Sequence, residues 1–145
     1  MKTLVITGLA LTLGLGNAYA VCTGTQLTAT QIQTEIVGKT VCATLGGDKW
    51  QEEHHGTTGI STSGDLFDYK RGPAAPNNPD PTERVGTWTI IPGTAATGGA
   101  KLQHSYTGGS SYNYVVRRAG TGLYDFCGTT NVPNATLGTI GSPCP

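Results

Sequence analysis

Glu52, Glu53, His54 and His55 form the densest group of side chains able to do chemistry in this sequence. In an extended strand, alternate residues project to opposite faces, so Glu53 and His55 share one side while Glu52 and His54 share the other. A histidine and a carboxylate on one face are half of a metal site, and His104, from another segment, is a third candidate ligand. The weak metal set read from the sequence is therefore Glu53, His55 and His104. A catalytic metal of that kind needs at least three protein ligands and an open position. No recognised ligand spacing accompanies the set, and a polar strand end beside the turn at Gly56 explains the same residues.

Other chemistries have the inventory without the pattern. The serines at 61, 63, 105, 110, 111 and 142 occupy no G-x-S-x-G elbow, so none is marked as a nucleophile. The carboxylate pairs Asp65 with Asp68 and Asp80 with Glu83 suit glycosidase work only at a separation that the fold must set. The glycines lack the Lys-Ser/Thr sequel of a phosphate loop, so no cofactor is expected.

The elements that would carry these residues are mostly strands. One short helix is expected over residues 30–37, with Thr28 or Thr30 as its capping hydroxyl, Ile32 and Ile36 on one face and Gly38 as its stop. Strands follow over residues 39–45, 49–55, 65–71, 85–91, 102–106, 112–117 and 123–127, separated by clusters of Gly, Asn, Asp and Ser. Residues 72–84 hold Pro73, Pro76, Pro79 and Pro81, which keeps them out of a sheet interior and makes them the one long loop. Seven or eight short strands with close turns and one short N-terminal helix predict an all-β domain, a small antiparallel barrel or sandwich.

The first twenty residues run from Lys2 through an uncharged stretch broken by Gly8, Gly14 and Gly16 to Ala18-Tyr19-Ala20. This is the three-part pattern of a secretory signal cleaved after Ala20, too interrupted for a membrane span. Residues 21–145 then form one disulfide-bonded domain, secreted or periplasmic, with no membrane span in the mature chain. Only 12% of the chain is charged, and the acidic and basic side chains balance. With no basic run, a nucleic-acid partner is not expected.

Cys22, Cys42, Cys127 and Cys144 all fall after the signal, where thiols oxidise, so two disulfides are expected. Three pairings are open. The preferred one joins Cys42 to Cys127 and Cys22 to Cys144, because barrel closure would set the first long strand beside the last clear one and bring the chain ends together.

A helix followed by Gly38-Lys39-Thr40-Val41-Cys42, a strand holding Trp50, Asp68-Tyr69-Lys70, Gly86-Thr87-Trp88 and a closing Tyr124-Asp125-Phe126-Cys127 resembles small exported bacterial proteins with a lipocalin-like barrel. Those proteins are largely uncharacterised, so the resemblance implies a fold and an address but no reaction.

The aromatics nearly all fall in expected strands, and most must be core. Trp50, Tyr69, Trp88, Tyr106 and Tyr114 are the candidates to line a barrel mouth and stack on a small apolar or sugar ligand. Exposed Tyr and Thr on neutral strands also allow self-association into an extracellular structural layer. The leading expectation is thus a non-enzymatic exported protein that binds a small ligand or assembles with itself. The rival is a metal-dependent or hydrolytic secreted enzyme.

Overall fold

A computed structural model gives the fold and describes residues 22–45, 47–68 and 83–145. The expected signal segment, most of the proline-rich loop and Tyr69 lie outside these residues. The chain runs as β1 (Thr25–Gln26), α1 (Ala29–Glu35), β2 (Lys39–Leu45), β3 (Asp48–His54), β4 (Ser63–Asp68), β5 (Glu83–Ile91), β6 (Lys101–Tyr106), β7 (Ser111–Gly120), β8 (Leu123–Cys127) and β9 (Val132–Thr139).

Strands β2 to β9 pair antiparallel with their neighbours in sequence, and β9 returns to pair with β2. The result is a closed eight-stranded up-and-down barrel, at the upper end of the seven or eight strands expected. Each of the eight is paired on both edges. Short β1 lies alongside the second half of β7 at Arg117 and Arg118, beyond the stretch where β6 pairs with it.

Helix α1 starts at Thr28, whose hydroxyl accepts from the Gln31 amide while the Gln31 side chain accepts from the Thr28 amide. This capping box satisfies two donors that a helix start leaves open. Ile32 and Ile36, one turn apart, are fully buried together with Leu27 and Val37. The core they join includes Leu66, Trp88, Ile90, Leu102, Val116 and Phe126. Chain direction places α1 at the barrel end where β3 finishes and β4 begins. Strands β2, β4, β6 and β8 finish at the opposite end, which we call the mouth.

The disulfides join Cys22 to Cys127 and Cys42 to Cys144, which corrects the pairing preferred from the sequence. Cys42 lies between Gln51 on β3 and Thr136 on β9, so β9, not β8, is the neighbour of β2. Two strand spacings, about 9.6 Å, separate alternate strands, more than the about 7 Å across which a disulfide reaches. Both cysteines sit on the outer face instead, where Cys127 binds Cys22 at the start of the described residues and Cys42 binds Cys144 near their end.

Strand β9 was not expected. It carries Pro133, Asn134 and Gly138, residues that otherwise announce a turn. The strand accommodates the first two at a bulge: Tyr124 faces Ala135, but Phe126 faces Val132, and Asn134 takes a left-handed φ of 56°. Asp125 holds this bulge, accepting from the Asn134 amide at 2.9 Å, and also accepts from the Thr23 amide at 2.9 Å.

Candidate functional site

Alternation along β3 turns Trp50, Glu52 and His54 toward the interior and Gln51, Glu53 and His55 outward. The outer row works as a clamp. Gln51 accepts from the Cys144 amide at 2.7 Å, Glu53 accepts from the Gly141 amide at 2.8 Å, and Lys49 donates to the Pro145 carbonyl at 2.7 Å. His55 pairs with Glu53 at 2.8 Å, and Phe67 packs on its ring with centroids 4.3 Å apart.

The inner row meets β6. Glu52, His54 and His104 are all fully buried. His54 and His104 face each other with Nε2 atoms 2.9 Å apart. His104 Nδ1 lies 3.0 Å from Glu52 Oε2, though neither atom has the alignment of a hydrogen bond. The Tyr106 hydroxyl donates to Glu52 Oε1. One ligand atom from each of Glu52, His54 and His104 can be chosen so that all three lie within 4.8 Å of one another. The metal set expected from the sequence, Glu53, His55 and His104, is not brought together: the first two belong to the outer clamp and the third to the interior.

Trp88 and Gly64 make room beneath this cluster. A Cβ at Gly64 would stand 2.0 Å from the His55 carbonyl oxygen and 2.9 Å from Trp88 Nε1. With glycine there, the indole lies over β4 and donates to the His55 carbonyl at 3.1 Å. Trp88 is thereby a fully buried core residue against His54 and does not line the mouth.

Burial dominates the electrostatics. It holds the His54 pKa well below its ordinary value, with the His104 charge acting in the same direction and the Lys39 backbone opposing. His54 is therefore a neutral imidazole at neutral pH. Burial also raises the Tyr106 hydroxyl far above its usual range, followed by the charge and hydrogen bond of Glu52. Tyr114 is pushed up to about 12 by burial first, then by Glu52 and Tyr112.

Above the cluster the mouth opens into a cavity of about 380 Å³. Trp50, Tyr106, Tyr112 and Tyr114 line it, with Leu45 and Val132, and Glu52 and Asp68 supply its carboxylates. Those two acids face each other across the β3–β4 pair. Tyr112 and Tyr114 stack with ring planes 16° apart, and Tyr106 meets Tyr112 edge-on. Three of the residues expected at a mouth, Trp50, Tyr106 and Tyr114, thus lie there. Glu52, Asp68 and Tyr112 also line the cavity and were not among the residues expected there, although the period-two pattern already set Glu52 apart from Glu53. A second hollow of about 420 Å³ lies outside the barrel beside the Cys42–Cys144 bond, lined by residues such as Lys49, Asn134 and Pro145. Among the described residues that line it there is no aromatic or acidic side chain.

No protein-family model matches the chain, and neither the curated proteins nor the solved structures contain a match.

Proposed function

We propose that this protein is a non-enzymatic exported barrel that binds a small hydroxyl-rich molecule, of the sugar class, in its mouth. One observation carries the reading: Trp50 and three tyrosines wall a cavity that also presents the carboxylates of Glu52 and Asp68. Aromatic faces stack on the apolar face of a sugar ring, and carboxylates accept hydrogen bonds from its hydroxyls. The cavity falls within the roughly 300–1,000 Å³ usual for small-molecule sites. A wholly apolar ligand would bring no hydroxyl donor of its own to a wall that presents two carboxylates, which argues for the sugar over the apolar alternative.

Barrel closure supports binding over self-assembly, because strands paired on both edges offer no long template to another chain. Export, and kinship with exported lipocalin-like proteins, remain part of the proposal. The two disulfides fit an oxidising compartment. Among the described residues, no helix is long and apolar enough to cross a membrane.

The test is tryptophan fluorescence during titration with a panel of neutral mono- and disaccharides, with aliphatic amines as a second panel. At least one sugar should give a saturable change, and Tyr112→Ala, which removes a half-exposed wall, should raise its Kd about 3- to 10-fold. Binding of amines alone, or sugar binding indifferent to Tyr112, would overturn the assignment.

A further inference from the structure

We propose that Glu52, His54 and His104 form a binding site for one divalent transition-metal ion, with zinc as the best match. The donors are two imidazoles and a carboxylate, a set that suits zinc and its neighbours, whereas magnesium and calcium prefer all-oxygen surroundings. All three side chains are fully buried, and their ligand atoms converge within 4.8 Å.

The electrostatic balance favours an ion. Glu52 is buried in the barrel, and among the described residues no Lys or Arg is buried to offset it. Glu52 Oε2 makes no hydrogen bond, so the carboxylate keeps lone-pair capacity for an ion held by the facing imidazoles. A buried carboxylate is costly without a partner of opposite charge, and a bound cation is one.

The spacing fits with little movement. With bonds of about 2.0–2.1 Å in a tetrahedral site, two ligand nitrogens stand about 3.3 Å apart. The facing Nε2 atoms are at 2.9 Å, so the rings need to part by only about 0.4 Å to reach that spacing. Glu52 also lines the mouth cavity, which supplies both a way in and an open fourth position for water. The inference does not depend on the sugar reading, because ion uptake is measured with no organic ligand present.

Untagged protein expressed from the full 145-residue sequence would be stripped with chelator and titrated with Co²⁺. The expected result is one equivalent bound, with the intense visible absorption of a low-symmetry four-coordinate site, displaced by Zn²⁺. His104→Ala and the near-isosteric Glu52→Gln should each weaken uptake at least about tenfold, while His55→Ala on the outer face leaves it unchanged. Far-UV circular dichroism establishes that each variant is folded, and Glu52→Gln carries the test if His104→Ala is not. Failure of the folded parent to bind one equivalent, retention of full affinity in Glu52→Gln, or loss in His55→Ala would overturn the site.

Discussion

Glu52 and Glu53 are adjacent in sequence and lie on opposite sides of the barrel wall, Glu52 against His104 inside and Glu53 against the Gly141 amide outside. The outer contact holds the C-terminal segment down together with Gln51 and the Cys42–Cys144 bond. A hydrogen bond to a charged group contributes about 1.5–3 kcal/mol. Glu53→Ala should therefore speed hydrogen exchange at the Gly141 amide at least about tenfold while leaving amides in β5 and β6 unchanged. Unaltered exchange at Gly141 would show that the clamp does not hold the tail.

The two disulfides close loops with sequence separations of 105 and 102 residues. The chain-entropy model gives about 4–5 kcal/mol for each, a large share of the about 5–15 kcal/mol by which domains are stable. The double substitution Cys42→Ser with Cys144→Ser should lower the urea unfolding free energy by about 4 kcal/mol. Non-reducing peptide mapping should recover Cys22 with Cys127 and Cys42 with Cys144. A Cys42–Cys127 peptide would remove β9 from its place between β2 and β8.

Alkaline pH reports on the interior. Tyr114 has its pKa raised to about 12, by burial and then by Glu52, whereas an unfolded tyrosine ionises near about 10. Between those values the unfolded chain holds fewer protons than the folded one. The contribution of Tyr114 is thus complete below pH about 10 and is lost as pH rises toward 12. The tyrosinate absorbance of the parent minus that of Tyr114→Phe should show a midpoint near 12, and Glu52→Gln should lower it. A midpoint near 10 would place Tyr114 in solvent.

Much of this fold was legible. Strands β2 and β8 have the bounds read from the sequence, because Gly38 and Gly122 punctuate their starts. Leu66 and Phe67, adjacent apolar residues that blurred the alternation, part company as a strand requires: Leu66 enters the core and Phe67 covers His55 outside. Strand β9 was hidden because Pro133 and Asn134 carry turn chemistry, and the partners that make a bulge of them, Asp125 and β8, are distant in the fold's logic though near in sequence. The site was half legible. Period two separates Glu52 and His54 from Glu53 and His55, but both pairs hold one acid and one histidine, so composition could not tell which faced inward. That choice belongs to the tail, whose backbone donors at Gly141 and Cys144 satisfy the outer row.

In the proposed function, ligand recognition falls to the inner face of β3, and tail anchoring falls to the outer face. The most direct measurement is the affinity of Glu52→Gln and Glu53→Gln, each compared with the parent, for the tightest sugar of the panel. Each substitution exchanges a carboxylate for an amide of nearly the same shape, and the two positions are consecutive. Glu52→Gln should weaken binding at least about tenfold, the loss of a charged hydrogen-bond acceptor, while Glu53→Gln should bind as the parent does. Equal affinities for all three proteins, or a loss confined to Glu53→Gln, would contradict the assignment of function to the barrel interior.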